Sequence, residues 1–251
     1  MSNKPVFSSK HKDPDMIAAF IRAQETFPYF WRELTWEYRR MVRVLQIAAV
    51  KVAFMDDEDA DLPVNSEMMW MDEIDFDGEF VYGVLNNEPR HLRNIKAGDS
   101  VKVPMVQVVD WLFVLQNKSY GGFTIQVLRA RMDEEERTAH DKAWGFDFGD
   151  TKEVLLAYEQ LEHPENLEEH PMSRSARSQY EAFFTQNPQE INGQDEFGYT
   201  PLHKEAIAGN RTIVEVLLSM GAQKDRRTYS GKTAFDFAKQ LDWKHLMELL
   251  K

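Results

Sequence analysis

A short motif recurs 33 residues apart in the last third of the chain, where Gly198 and Thr200 align with Gly231 and Thr233. The first copy belongs to the stretch FGYTPLHKEAIAGN, which begins at Phe197. Thr is a preferred helix N-cap, and the Pro after it suits the first helical position, where a missing N–H costs nothing. Because a unit of this length cannot bury its apolar face alone, the repeat predicts a stack of short helix pairs.

The apolar residues of this region predict where the helices lie. Ile213, Val216 and Leu217, with Met220, fall on one face of a helix that Gly221 would end. A partial unit is expected before this helix pair and a closing pair after it. The residues predicted to point inward in the two flanking units are Tyr180, Phe183, Phe184, Trp243, Leu246, Leu249 and Leu250.

The G-x-T-P-L-H motif and its 33-residue period resemble ankyrin repeats. The resemblance implies a short all-α ankyrin-repeat array over residues 172–251, with one full repeat between two partial ones. Glu205 departs from the family pattern, since ankyrin repeats have Ala at this position, as this chain has at Ala238. Its carboxylate would either reach a basic partner or escape to solvent at the edge of the array, and we favour escape.

The first part of the chain opens with a helix signal. Asp13 can cap a helix and Pro14 fits its first position. Pro28 is expected to interrupt this helix before a second amphipathic stretch. The predicted inward stripe of the helix is Met16, Ile17, Phe20, Ile21 and Gln24.

Strand and turn signals dominate the residues that follow. The β-branched stretch 47–54 predicts a strand, and Asp-Gly at 77–78 and Asn-Lys at 117–118 predict hairpin turns. TIQVLRARM fits either a helix or a strand, whereas DEEERTAHDKAWGF reads as helical. The pattern predicts an α+β domain, with an antiparallel sheet of four to six strands and flanking helices.

Seven ordered segments resemble a YegJ-like bacterial family of uncharacterised domains. They are DPDM, MWMDEI, GVLNNEP, IKAGDSV, DWLF, GGFTIQVLR and EERTAHDKAWGFDFGD. The resemblance implies no known catalytic activity, but it implies an association with ankyrin repeats and with genes that neighbour bacterial toxins. The resulting organisation is a disordered tail at 1–12, a YegJ-like domain at 13–150, an acidic linker or helix at 151–171 and the repeats at 172–251.

Composition argues against several classes of function. The 251 residues include no cysteine, which removes disulfides, zinc–thiolate sites and thiol nucleophiles. The net charge of −12 predicts repulsion from phosphate backbones, so no nucleic-acid partner is expected, and the acidic excess could attract a basic protein. No stretch approaches roughly 18 apolar residues, so no membrane partner is expected and a cytoplasmic location is the default.

The polar stretch LNNEPRHLRNIKAGDSVKVPMVQVVDWLF, residues 85–113, could be a reaction centre or a structural framework. Asn at a strand end commonly satisfies turn backbone groups, and a carboxylate before a Trp can cap a helical turn or accept the indole N–H. An acid–base set is the other interpretation, but positions in the chain do not show that its members converge. Its members would be Glu88, Arg90, His91 and Asp110. We therefore favour the structural role and predict no catalytic residue. The residues of a possible ligand pocket, the alternative, are Asn86, Asn87, Arg90, Asp110 and Trp111.

Metal and cofactor signals are weak. Glu136 and His140 are four residues apart on a predicted helix, but the chain has no H-E-x-x-H motif. His163 and His170 lie in a proline-bounded acidic stretch and are expected to be solvated. The acidic run 56–61 lacks the central Gly and terminal Glu of an EF-hand loop, and no glycine-rich phosphate motif occurs. We predict neither a metal nor a cofactor.

A surface for a protein partner is the remaining kind of site. In ankyrin arrays the finger tips and the concave face usually bind, and aromatic and basic side chains there favour protein recognition. The predicted partner-binding residues are Glu196, Phe197, Tyr199, Lys204, Glu205, Arg226, Arg227 and Tyr229. The favoured function is non-catalytic protein binding, most sharply as an immunity-type inhibitor that occludes a basic bacterial toxin. The alternatives are a small-ligand-binding or enzymatic domain with an ankyrin adaptor, and a general cytoplasmic scaffold.

Overall fold

The computed structural model describes residues 13–55 and 66–251. Packing divides the chain into two compact units. The first takes its described residues from Met1–Phe30 and Met41–Tyr158, and the second comprises Trp31–Arg40 and Glu159–Lys251. The predicted tail at 1–12 and the acidic run 56–61 lie outside the described residues. Ten residues of the N-terminal part, Trp31–Arg40, belong to the second unit, and nine of them come from the first helix.

Helix α1 spans Pro14–Arg39 without a break and contains Pro28. The expectation that Pro28 would interrupt the helix is therefore wrong. A proline inside a helix removes one N–H donor and costs roughly 3 kcal/mol. Phe27 and Phe30 are completely buried on either side of Pro28, and burial of a Phe side chain is worth about 1.5–3 kcal/mol. Tertiary packing thus offsets the local penalty.

The inward face of α1 also differs from the predicted stripe. Ile17 and Ile21 are 45% and 52% exposed, whereas Ala19 and Ala23 are buried. These two small residues and Met16, which is also buried, recur at the three- and four-residue spacing of one helix face. The prediction is correct for Met16, but both stripes are mainly apolar, so the sequence alone does not show which of them faces the sheet.

The first unit contains one antiparallel sheet of six strands in the order β4-β3-β2-β1-β5-β6 among the described residues. This architecture confirms the predicted α+β class with an antiparallel sheet. The strands are β1 (Leu45–Met55), β2 (Ser66–Phe76), β3 (Phe80–Leu85), β4 (Ser100–Pro104), β5 (Val108–Leu115) and β6 (Lys118–Gly121).

One hairpin turn has the local chemistry that the sequence predicted, and the other lies next to its predicted place. Between β2 and β3, Asp77 Oδ1 accepts from the backbone N–H groups of Glu79 and Phe80 at 2.8 and 2.7 Å. Between β5 and β6, Gln116 and Asn117 both have left-handed φ values of 49° and 66°. Two such residues define a turn whose twist matches paired strands. The tip of this hairpin therefore lies one residue earlier than predicted.

Strand register separates two faces of the sheet. Val50 lies opposite both Met71 and Trp111 on the first face, which packs against α1 residues such as Phe27 and Phe30. The second face carries the neighbouring set, in which Lys51 lies opposite both Trp70 and Asp110. Helices α2 (Phe123–Ala130) and α3 (Glu134–Trp144) follow β6. The apolar cluster of the second face and these helices contains Leu112, Val114, Ile125, Phe146 and Phe148.

The second unit is all-helical beyond residue 159. A 3-10 helix at Pro164–Leu167 precedes α4, and another at Pro188–Asn192 follows α5. The helices are α4 (Pro171–Ser175), α5 (Arg177–Gln186), α6 (Pro201–Ala208), α7 (Arg211–Ser219), α8 (Ala234–Gln240) and α9 (Lys244–Leu250). No helix among the described residues is long and apolar enough to cross a membrane.

The 33-residue recurrence is visible in the backbone. Thr200 caps α6 and Thr233 caps α8, each accepting a hydrogen bond from the N–H three residues later. Gly198 and Gly231 have left-handed φ values of 85° and 84°. Trp243, Leu246 and Leu250 are buried as predicted. Phe183 is an exception, because 49% of this residue is exposed although it was expected to point inward.

Candidate functional site

Two neighbouring loops of the second unit, 194–199 and 223–232, form a surface that we call the tip surface. Six of the eight predicted partner-binding residues lie exposed or half-buried on it, and a seventh, Lys204, lies directly beside it. Phe197 is 62% exposed and Tyr229 is 76% exposed. Glu196, Arg226 and Arg227 are also exposed. Tyr199 is half-buried and stacks on Phe237 of α8, with ring centroids 5.7 Å apart. Lys204, on α6, is exposed and pairs with Asp195 at 2.8 Å.

Hydrogen bonds join the two loops of the tip surface. The backbone N–H of Tyr229 donates to the carbonyl oxygen of Phe197 at 3.0 Å. The Gln194 side-chain amide donates to the carbonyl oxygens of Gly198 and Arg227 at 2.8 and 3.1 Å. The two exposed aromatic side chains therefore stand on backbone that is fixed by cross-loop bonds.

His203, the last residue of the G-x-T-P-L-H motif, fixes the same loops, a role that was not predicted from the motif. Its Nδ1 accepts from the backbone N–H of Thr200 at 3.0 Å, so its Nε2 carries the proton. That nitrogen lies 3.1 and 3.2 Å from the carbonyl oxygens of Arg226 and Lys232. Burial lowers the pKa of His203, although the two carbonyl bonds oppose this shift. The neutral ring thus ties the start of α6 to the second loop.

The second loop of the tip surface is basic, whereas the first loop carries Asp195 and Glu196. Residues 223–232 include Lys224, Arg226, Arg227 and Lys232 against Asp225 alone, so four positive charges and one negative charge leave +3. Each arginine holds a neutral oxygen: Arg226 Nε donates to the Gln223 side chain at 2.7 Å, and Arg227 donates to the carbonyl of Gly231 at 2.7 Å. A depression of about 310 Å³ lies between the loops. It is lined by Gln194, Gln223, Asp225, Arg226, Arg227 and Tyr229.

Glu205 does not belong to this surface. Its residue is 6% exposed, and its carboxylate pairs with Arg39 of α1 at 2.8 Å and accepts from Asn210 at 2.7 Å. The favoured expectation that Glu205 escapes to solvent is therefore wrong. The basic group that it reaches belongs to the same chain, and the Asn210 oxygen in turn accepts from the Trp36 indole at 2.9 Å.

His170 is also buried, at 3% exposure, which corrects the expectation that it would be solvated. Its Nδ1 accepts from the backbone N–H of Met172 at 3.1 Å, and its Nε2 lies 3.0 Å from a carboxylate oxygen of Glu33. Arg40 pairs with Glu33 at 3.2 Å and with Glu37 at 2.8 Å. The bonds from Glu33 to His170 and from Arg39 to Glu205 thus join the segment Trp31–Arg40 to the rest of the second unit, and their partners are far apart in the sequence.

The alternative ligand-pocket residues separate into two groups. Asn86 and Asn87 line a cavity of about 410 Å³ in the first unit, whereas Arg90, Asp110 and Trp111 do not line it. Arg90 is exposed, and its backbone N–H donates to the Glu67 carboxylate at 2.9 Å.

Asp110 and Trp111 have structural partners instead. Asp110 is fully buried and caps α2 through the N–H groups of Phe123 and Thr124 at 2.9 and 2.8 Å. The Trp111 indole donates to the carbonyl oxygen of Ala23 at 3.1 Å and therefore does not bond to Asp110. Of the two roles considered for Asp110, helix capping is confirmed.

The residues considered as metal ligands have other partners. Glu136 forms a capping box with Asp133 at the start of α3. His140 Nδ1 lies 2.9 Å from a carboxylate oxygen of Asp141. In the part of the chain that the structure describes, no three metal-binding side chains gather at one point.

Comparison with known proteins defines the family. The chain belongs to the family described as "Uncharacterized protein conserved in bacteria (DUF2314)", whose model matches residues 13–148. The predicted YegJ-like resemblance is thereby confirmed. The chain is 28% identical over 71 residues to the uncharacterized protein YegJ of Escherichia coli K12, covering 28% of this chain and 46% of that protein.

A second relative covers the whole chain. It is a protein of Neisseria meningitidis serogroup B that carries the provisional name of an ankyrin repeat protein. The two are 49% identical over 252 residues, which cover 100% of this chain and 98% of the relative. Neither relative bears the name of an enzyme. No solved structure matches the chain.

Proposed function

We propose that this chain is a protein-binding module that binds a segment of another protein through the tip surface. One observation carries the proposal: Phe197 and Tyr229 are 62% and 76% exposed on two loops whose backbones bond to each other. A solvent-exposed aromatic side chain on a fixed backbone loses little conformational freedom when a partner covers it. Trp and Tyr are also enriched among the residues that contribute most to binding at interfaces.

The helical repeat supports this proposal. The recurrence of Gly198 and Thr200 at Gly231 and Thr233, with similar capping and φ values, supports the ankyrin-repeat array that we propose for residues 172–251. Repeats of this kind stack in one dimension and expose their loops along one side, where partners bind. The name of the Neisseria relative agrees with this interpretation.

Charge favours a particular partner. The net +3 of residues 223–232 suits an acidic segment that also carries an apolar side chain for Phe197 and Tyr229. The immunity-type inhibitor of a basic toxin is a narrower hypothesis. It would need a different, acidic surface, and it rests on the family resemblance and on the net charge of −12.

The test replaces the two exposed aromatic residues together. We expect the double variant Phe197→Ala and Tyr229→Ala to weaken partner binding by about 100-fold, because losing two hot-spot side chains costs roughly 1–2 kcal/mol or more each. The tagged full-length chain is used to capture proteins from a lysate of its source bacterium. Bound proteins are identified by mass spectrometry, and the affinity of the captured partner is then measured with purified proteins.

Phe183→Ala provides a matched control, since Phe183 is 49% exposed on α5, outside the tip surface. This control should retain the partner with unchanged affinity. Reversing charge at Arg226 and Arg227 should also weaken binding, and more strongly at low salt. A partner that binds the double aromatic variant as tightly as the original chain would refute the tip surface as the interface.

A further inference from the structure

A cavity in the first unit has the size and lining of a small-molecule site, independently of the tip surface. Its volume is about 410 Å³, within the roughly 300–1,000 Å³ usual for ligand pockets. It opens on the second face of the sheet, where Lys51 of β1 and Trp70 and Asp72 of β2 line it. Beyond the sheet, α2, α3 and the loop after β3 contribute Ile125, Leu128, His140, Trp144, Asn86, Asn87 and Glu88.

Lys51 supplies an ammonium group that can donate further hydrogen bonds. Among the described residues, its Nζ lies 3.5 Å from the Thr124 hydroxyl and 5.6 Å from the centre of a Trp70 ring. Burial lowers the pKa of Lys51, and the charge of Asp110 opposes that shift. An ammonium has three hydrogens to donate, so one long bond to Thr124 leaves room for an oxygen acceptor in the cavity.

Asp110 cannot accept a further hydrogen bond from Lys51. Its Oδ1 accepts from the N–H groups of Trp111 and Phe123, and its Oδ2 accepts from the N–H and hydroxyl of Thr124. Four donors fill the four lone-pair positions of a carboxylate. Asp110 therefore acts on Lys51 through its charge and not through a hydrogen bond. A further acceptor for the Lys51 ammonium would have to be a bound ligand.

Asp72, on the strand next to that of Lys51, supplies the opposite charge. It follows Trp70 by two residues on β2, which places it on the same face and about 7 Å along the strand. With the Asn86 amide turned to its bonding orientation, that group donates to both Asp72 oxygens at 2.9 and 2.7 Å. Burial raises the pKa of Asp72, and the neighbouring charge of Glu73 adds to the shift.

The balance of charge around the cavity limits what it can bind. Glu67 and Glu88 line the cavity as well, and their carboxylates accept from backbone N–H groups of Arg90 at 2.9 Å and Ala97 at 3.0 Å. A ligand with only a negative charge would meet three carboxylates, those of Glu67, Asp72 and Glu88. A ligand with only a positive charge would meet Lys51. A molecule with both charges avoids the two penalties.

We propose that this cavity binds a small zwitterion of the amino-acid class, with its carboxylate on Lys51, its ammonium on Asp72 and an apolar side chain against Trp70 and Trp144. The sheet floor positions the two charged groups on neighbouring strands, and α2 and α3 supply the apolar wall. Hydrogen bonds between charged partners are roughly twice as strong as those between neutral groups.

Calorimetric titration of the full chain with three matched probes tests the proposal. The probes are L-phenylalanine, 3-phenylpropanoate, which lacks the ammonium, and 2-phenylethylamine, which lacks the carboxylate. We expect L-phenylalanine to bind with a dissociation constant on the order of 10 µM to 1 mM. Each of the other two should bind at least about tenfold more weakly, because each lacks one charge-assisted bond.

Single substitutions test whether the ligand binds at Lys51 and Asp72. Lys51→Met and Asp72→Asn should each weaken L-phenylalanine binding by about tenfold or more, whereas Lys152→Met, at an exposed turn of the same unit, should leave it unchanged. Thermal unfolding of each variant checks that it folds, and the three-probe series on the unchanged chain decides the matter if a variant does not.

Failure of L-phenylalanine to bind at millimolar concentration, or equal binding of 3-phenylpropanoate, would overturn the proposal. So would undiminished binding to folded Lys51→Met.

Discussion

Replacing Asp110 with alanine is expected to lower the free energy of unfolding by about 3–5 kcal/mol. Asp110 has no exposed surface and accepts four hydrogen bonds, three of them from backbone N–H groups of Trp111, Phe123 and Thr124. Alanine would leave these donors buried without an acceptor, at about 1–3 kcal/mol each before relaxation. It would also remove the countercharge that faces Lys51 across β1 and β5.

Chemical denaturation followed by circular dichroism measures this effect. Asp110→Asn keeps the shape of the side chain and one acceptor oxygen, so its loss should be smaller than that of the alanine variant. Asp150→Ala is the matched control, because Asp150 is exposed and its side chain accepts one backbone bond, from Lys152 at 2.9 Å. That control should change stability by less than about 1 kcal/mol.

The same measurement separates the two roles weighed for the polar stretch 85–113. A residue that acts only in binding or catalysis can be replaced with little loss of stability, and often with a gain. If Asp110→Ala unfolds at the same denaturant concentration as the unchanged chain, the capping role is wrong, and a functional role for this carboxylate regains support.

Features encoded over a few residues could be predicted from the sequence. The caps at Thr200 and Thr233, the Asp77-Gly78 turn and the strand alternation of 47–54 each depend on neighbours in the chain, and each was found close to its predicted place. Turn and cap chemistry is local, because the side chain bonds to backbone within three or four residues.

Features that depend on distant partners could not be predicted. Glu205 bonds to Arg39 across 166 positions, and His170 approaches Glu33 across 137. Glu and His are usually expected at the surface when only the sequence is considered. The fold alone places Arg39 beside Glu205 and Glu33 beside His170. The cavity has the same origin, since Lys51 and Asp72 come from separate strands whose register a single sequence does not specify.

Acid is expected to destabilise the second unit through His170, with a slope of about 1.4 kcal/mol per pH unit for this one proton. Because Nδ1 accepts from Met172 and Nε2 donates to Glu33, a second ring proton would face the Met172 N–H and break that bond. Burial lowers the pKa of His170, although Glu33 opposes the shift.

The sign of the pH effect follows from these shifts. A histidine whose pKa is lower in the folded chain binds fewer protons when folded, so stability is complete above its unfolded pKa of about 6.5 and declines as the pH falls below it. Glu33 acts in the same direction at lower pH. Its burial penalty is outweighed by His170 and Arg40, so its pKa is lowered and its contribution is lost in acid.

His170→Gln isolates this contribution, since an amide can donate to Glu33 and accept from Met172 without titrating. Unfolding free energies measured from pH 7 to pH 5 should decline less steeply for this variant than for the unchanged chain, by about one proton. Some slope should persist, because burial also lowers the pKa values of His203 and His245. His163→Gln is the control, with its exposed ring beside Glu165, and should keep the original slope. Equal slopes for His170→Gln and the unchanged chain would mean that the folded state already carries the second ring proton on His170. That result would contradict the bond that Nδ1 accepts from Met172.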